Sequence, residues 1–158
     1  MLYQQYLIET FEYNSWANKQ LLKKIALLPD PSGCIRFFSH LINCQYKWLD
    51  RISIYPEISK LDWWEPLYAM EQMEMEWEKS TQNWIQFLQN KTEEELMTPV
   101  KWIGIGNAPY TAPLKDIPLQ LNYHSIHHRA QMQSIIRQQG LEPDFLDYIG
   151  TKYKKVEE

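Results

Sequence analysis

Residues 117–139 read IPLQLNYHSIHHRAQMQSIIRQQ. Ile117, Leu121, His124, His128, Met132 and Ile135 follow one another at steps of three or four, the spacing that stacks side chains on one face of an α-helix. Two imidazoles therefore take places in an apolar stripe that a helix turns toward a core. The helix begins between Pro113 and Pro118, runs to about Gln139, and has Gly140 as its natural stop. A buried neutral imidazole carries one donor and one acceptor, and leaving either unpaired costs about 1–3 kcal/mol. His124 and His128, one turn apart, can share one metal ion.

Upstream, Ser32 to about Ile52 predicts a second helix, with Phe37, His40, Leu41, Cys44 and Trp48 on its stripe. The chain has four histidines, so three of them fall at core positions of two helices. Spacing pairs His124 with His128 and leaves His40 a candidate third ligand. The alternative is three core histidines, each satisfied by its own hydrogen bonds. His127 points about 100° away from the pair on a helical wheel and reads as a flanking residue.

Working outward, Leu2–Leu28 carries Leu7, Phe11, Asn14, Asn18, Leu21 and Ile25 on one stripe, and Pro29 and Pro31 end it. Residues 53–64 read as a loop that holds Trp63 and Trp64. A third helix is expected from Glu65–Pro66, where proline suits the first turn, to about Asn90. Its apolar side is Met70, Met73, Trp77, Trp84 and Leu88. Thr92-Glu93-Glu94-Glu95 is a capping box that opens one short turn. Val100–Ile103 and Pro109–Ala112 flank Gly104-Ile105-Gly106-Asn107, which predicts a β-hairpin. A short terminal helix is expected at Pro143-Asp144-Phe145. The fold class is all-α: a four-helix bundle with a short β-hairpin inserted before the fourth helix, in one domain spanning residues 1–158.

Bulk properties narrow the function. At 158 residues the chain suits one core. With a net charge of −4 and no stripe of Lys and Arg, nucleic acid is not an expected partner. Cys34 and Cys44 stand ten apart on one expected helix, too far for a disulfide, which suits a reducing compartment. The first residues lack the basic start and apolar run of a signal peptide, and no stretch approaches eighteen apolar residues. A cytoplasmic protein with no membrane partner is expected.

Four segments resemble the DinB/YfiT-like metalloenzyme family. Tyr13-Asn14-Ser15-Trp16-Ala17-Asn18 is similar to the family's Tyr-Asn-x-Trp-Ala-Asn opening. Ser39-His40-Leu41-Ile42, followed by Trp48-Leu49, resembles the segment that carries its first histidine ligand. His124-Ser125-Ile126-His127-His128-Arg129-Ala130-Gln131 resembles its His-x-x-x-His-Arg-Gly-Gln signature, with Ala130 where glycine is usual. Pro143-Asp144-Phe145-Leu146 looks like its C-terminal segment. The resemblance implies a four-helix bundle, a homodimer and a three-histidine metal site made of His40, His124 and His128.

Neutral imidazoles suit zinc, nickel, cobalt or iron(II), and the resemblance favours nickel or zinc. Three protein ligands leave a position open, the mark of a catalytic rather than a structural site. The resemblance further implies a metal-dependent transferase that activates a low-molecular-weight thiol for attack on an electrophilic small-molecule substrate. A hydrolase using metal-activated water and a non-catalytic metal-binding stress-response protein are the alternatives. No catalytic residue is assigned. Around the site, Asn14, Asn18, Cys44, His127 and Gln131 are candidates to support the ligands or line a cleft. Each also has a plain structural reading, and Cys44 on a core stripe can serve simply as a small apolar residue. Arg129 is expected to form an ion pair that holds the fourth helix to a neighbour or to a dimer partner, and Trp63, Trp64 and Trp102 either wall an apolar pocket or cover the core.

Overall fold

The computed structural model describes residues 2–156; Met1, Glu157 and Glu158, which the single-domain reading includes, lie outside the described residues. Four long helices, α1 (Leu2–Ile25), α2 (Ser32–Ile54), α3 (Met70–Gln89) and α5 (Asp116–Gln138), form a bundle. Between α3 and α5 come a short helix, α4 (Glu93–Met97), and an antiparallel hairpin, β1 (Pro99–Ile103) and β2 (Pro109–Pro113). Helices α1 and α2 each pack against α3 and α5, so the four close into a ring.

Most residues of the predicted stripes are buried, while Phe37, Trp48, Met70, His124 and Ile135 are half-buried. Leu7, Phe11, Leu21 and Ile25 of α1 are sealed, as are Met73, Trp77, Trp84 and Leu88 of α3. Two apolar clusters result. One gathers Leu21, Ile25, Phe38, Leu41, Trp77, Met132 and Ile136. The other gathers Leu7, Phe11, Trp84, Leu88, Leu114 and Leu121, with Cys44. Along α5, His124 and His128 fall between Leu121 of the second cluster and Met132 of the first. Helix α2 likewise passes from Phe38 and Leu41 to Cys44. The histidines sit where the core changes hands.

Local chemistry fixes the connections. The Thr92 hydroxyl accepts from the Glu95 amide at 3.1 Å and the Glu95 carboxylate accepts from the Thr92 amide at 2.8 Å, completing the capping box that opens α4. The hairpin pairs Val100 with Ala112 and Trp102 with Tyr110. Its connection needs left-handed backbone at Gly106 (φ 67°) and Asn107 (φ 56°), the two residue types that tolerate it best.

Two expectations are corrected. Helix α3 begins at Met70, not at Glu65–Pro66. The Asp62 carboxylate accepts from the Trp64 and Glu65 amides, Glu65 accepts from the Leu67 amide, and Ser39 Oγ accepts from the Tyr68 amide. Side chains thus satisfy the amides that a helix would have used. The terminal helix at Pro143-Asp144-Phe145 does not form; residues 141–147 have no regular structure, and a single 3-10 turn follows at Tyr148–Thr151. This segment is pinned from outside: Leu146 is buried, its carbonyl accepts from the Tyr13 hydroxyl at 2.6 Å, and Asp144 pairs with Lys24 at 3.2 Å. No helix among the described residues is long and apolar enough to cross a membrane.

Candidate metal centre

Helix α2 presents His40 and helix α5 presents His124 and His128 to the same point between them. His40 Nε2 lies 2.9 Å from His124 Nε2, and His128 Nε2 lies 3.1 Å from the same atom. The rings meet edge to face, with centroids 4.4–5.1 Å apart. Only the Nε2 side of each ring faces the others, because the Nδ1 sides of two of them are taken.

His40 Nδ1 lies 2.7 Å from the Trp63 carbonyl oxygen, and His128 Nδ1 lies 2.6 Å from Gln131 Oε1. Both oxygens can only accept, so both Nδ1 atoms carry the proton. Each neutral ring then turns a bare Nε2 lone pair inward. His124 Nε2 faces both, and a single N–H on it could satisfy only one. A cation shared between the rings would satisfy the inward lone pairs together. Tetrahedral nitrogen ligands about 2.0–2.1 Å from a zinc-sized ion stand about 3.3 Å apart, a few tenths of an ångström wider than the two separations to His124 Nε2.

Electrostatics keep the rings in the metal-binding form. Burial, aided by mutual repulsion with His128, His40 and His127, pulls His124 down from 6.5 to about 4. Burial also lowers His40, opposed by the Trp63 hydrogen bond, and lowers His128, opposed by Gln131. Aromatic rings flank the histidines. Trp64 stacks on His40 with centroids 3.9 Å apart, and Phe37 stacks on His128 at 5.2 Å.

Cys44, one turn after His40, places Sγ 3.5 Å from His40 Nε2. His40, Cys44 and His124 form a group whose ligand atoms all lie within 4.8 Å of one another, an arrangement compatible with a metal ion. Burial pushes the thiol up to about 12, so the free group stays protonated. A cavity of about 220 Å³ opens beside this group, lined by His40, Cys44, Trp48, Trp63, Gln120, Leu121 and His124. No Asp or Glu is in that lining.

The other sequence candidates separate. Gln131 supports the site, but through His128. His127 is exposed and touches only the edge of the His128 ring, at 5.1 Å. Asn14 and Asn18 are buried yet turn to Arg129, whose Nη1 donates to both at 2.9 Å, while Asn18 also donates to Ser125 Oγ at 2.9 Å. Arg129 does tie α5 to a neighbour, α1, and amide oxygens rather than carboxylates receive it. Trp63 and Trp64 enter the site from the loop, one through its carbonyl and one through its ring face. Helical spacing could not find either, because a loop has no period.

A model of the DinB family matches residues 34–158, which takes in α2, α5 and all three histidines but leaves out the α1 segment Tyr13–Asn18. No curated protein and no solved structure matches the chain.

Proposed function

The chain belongs to the DinB family, and from that premise we propose that His40, His124 and His128 hold one divalent metal ion, nickel or zinc, in a transferase that activates a low-molecular-weight thiol for attack on an electrophile. The observation that carries this is the approach of the His40 and His128 Nε2 atoms to His124 Nε2, with the His40 and His128 tautomers fixed from behind by Trp63 and Gln131. Such outer hydrogen bonds orient metal-binding imidazoles and raise their basicity.

A bound divalent ion would supply the positive charge that lets a thiol ionise at neutral pH. The chain's residues do the rest. Burial holds the imidazoles neutral, so metal does not compete with protons. Trp63, Trp48 and Leu121 wall the cavity and keep water from the thiol. The cavity lining offers no carboxylate to act as general base on water, which favours thiol transfer over hydrolysis.

The test mixes metal-loaded protein with bacillithiol or glutathione and monobromobimane. Sulfur replaces bromide on carbon, bromide leaves with the bonding pair, and the thiol proton passes to solvent. Turnover above a His40→Ala control is expected; its absence with every thiol tried overturns the reading. A homodimer with a small-molecule substrate belongs to the same proposal.

One observation supports a second reading. Cys44 Sγ lies close enough to His40 and His124 to act as a protein ligand. Four protein ligands would close the site and make it structural. Substitution of Cys44 separates the two readings.

A further inference from the structure

Behind Trp63 and Trp48, on the side away from the histidines, lies a second cavity of about 480 Å³. The same two tryptophans line both cavities, so they form a common wall. The second cavity holds two cations, Lys47 and Arg51, one turn apart on α2. Like charges at that spacing repel: burial first, and then Arg51, lowers the Lys47 ammonium's pKa, while Asp62 and Asp50 act the other way.

Arg51 is about nine-tenths buried, yet neither it nor Lys47 forms an ion pair among the described residues. Its Nε and Nη2 both donate to one acceptor, the Ile103 carbonyl, at 3.2 and 2.9 Å. Nη1 is given to no acceptor among the described residues. The guanidinium lies over the Trp48, Trp63 and Trp102 rings at 4.6, 5.3 and 6.0 Å. Lys47 donates to the Leu61 carbonyl and stands 4.7 Å over the Trp63 ring. Glycine at 104 is what admits this packing: an added Cβ would lie 2.5 Å from the Tyr110 ring and 3.2 Å from Arg51 Nη2.

A buried cation without a counter-ion is held at a cost unless something negative arrives. Planar donors beside aromatic walls fit a carboxylate carried on a flat ring. We infer that this cavity binds an aromatic carboxylate. Trp63 links the two places directly: its ring faces Lys47 and Arg51, and its carbonyl holds His40.

Calorimetric titration of metal-free protein with 1-naphthoate tests the binding site without involving metal or turnover. Saturable one-to-one binding is expected, with 1-naphthalenemethanol, the neutral analogue, at least tenfold weaker. Arg51→Met and Lys47→Met are each expected to weaken naphthoate at least fivefold. Equal affinity for the neutral analogue, or unchanged affinity in Lys47→Met, overturns the inference. Lys47 is the less buried of the two, so its variant decides the matter if Arg51→Met does not fold. Failure of the thiol-transfer assay with naphthoate binding intact would overturn the metal-dependent reading and leave the anion site standing.

Discussion

The Trp63 carbonyl lies 2.7 Å from His40 Nδ1, across 23 residues of chain. A loop residue thereby decides which nitrogen of a helical histidine keeps its lone pair. Gln131 does the same for His128 from within α5, three residues on.

Removing that support should loosen the metal without removing a ligand. Gln131→Leu is expected to weaken metal binding about 10–100-fold, read by competition against a chelator of known affinity. His40→Ala, His124→Ala and His128→Ala should each abolish stoichiometric binding. If all three retain a full equivalent of metal by elemental analysis, the histidines are not its ligands.

Cys44→Ala separates an open site from a closed one. With three histidine ligands, metal affinity should stay within about threefold of wild type. A loss comparable to His124→Ala would make Cys44 a ligand and the site structural. Absorption of the cobalt-loaded protein gives an independent answer, because a cysteine ligand adds a sulfur-to-metal charge-transfer band that should be absent.

Acid should destabilise the metal-free protein through the same histidines. His124 takes up a proton at 6.5 in the unfolded chain but only at about 4 in the fold. Above 6.5 neither state is protonated. Between 6.5 and 4 the unfolded chain binds a proton that the fold refuses, so stability falls as pH falls and levels off below 4. His40 and His128 are shifted in the same direction. The urea midpoint should drop between pH 7.5 and 5.0, and His124→Gln should flatten that drop. Equal slopes in the two proteins would contradict the assignment.

Arg129 is buried, and its charge is held by Asn14, Asn18 and Tyr13 rather than by a carboxylate. Arg129→Met leaves the two asparagine oxygens without their donor. A loss of about 2–3 kcal/mol is expected in chemical denaturation. A change under 0.5 kcal/mol, the size of about a surface substitution, would show that water replaces the guanidinium at no cost.

How much of this was legible varied with the length scale of the signal. The α5 stripe declared itself because helical burial repeats every three or four residues, and His124 and His128 interrupted it. The capping box at Thr92–Glu95 and the Gly106-Asn107 reversal were legible because each is decided within a few residues. His40 was a candidate on spacing, and its context supplied the rest. What stayed hidden depends on contacts between distant segments. The Trp63 carbonyl and the Trp64 ring reach His40 from a loop without a period. Pro66 looked like a helix start, but Asp62, Glu65 and Ser39 had already taken the amides. The 141–147 segment is placed by Tyr13 and Lys24, far away in the chain. Lys47 and Arg51 drew no notice as an i,i+4 pair, because their meaning comes from the Trp63 and Trp102 rings, which distant segments bring to them.

His40 and His124 are separated by 84 residues, and the helix that supplies the second comes after the other three long helices. During synthesis the first histidine therefore waits for most of the chain to leave the ribosome before it has a companion. No half-made bundle can offer the converging nitrogens. An ion held by both histidines, as proposed, would thus be acquired late, and a protein that carried it would have its last long helix docked.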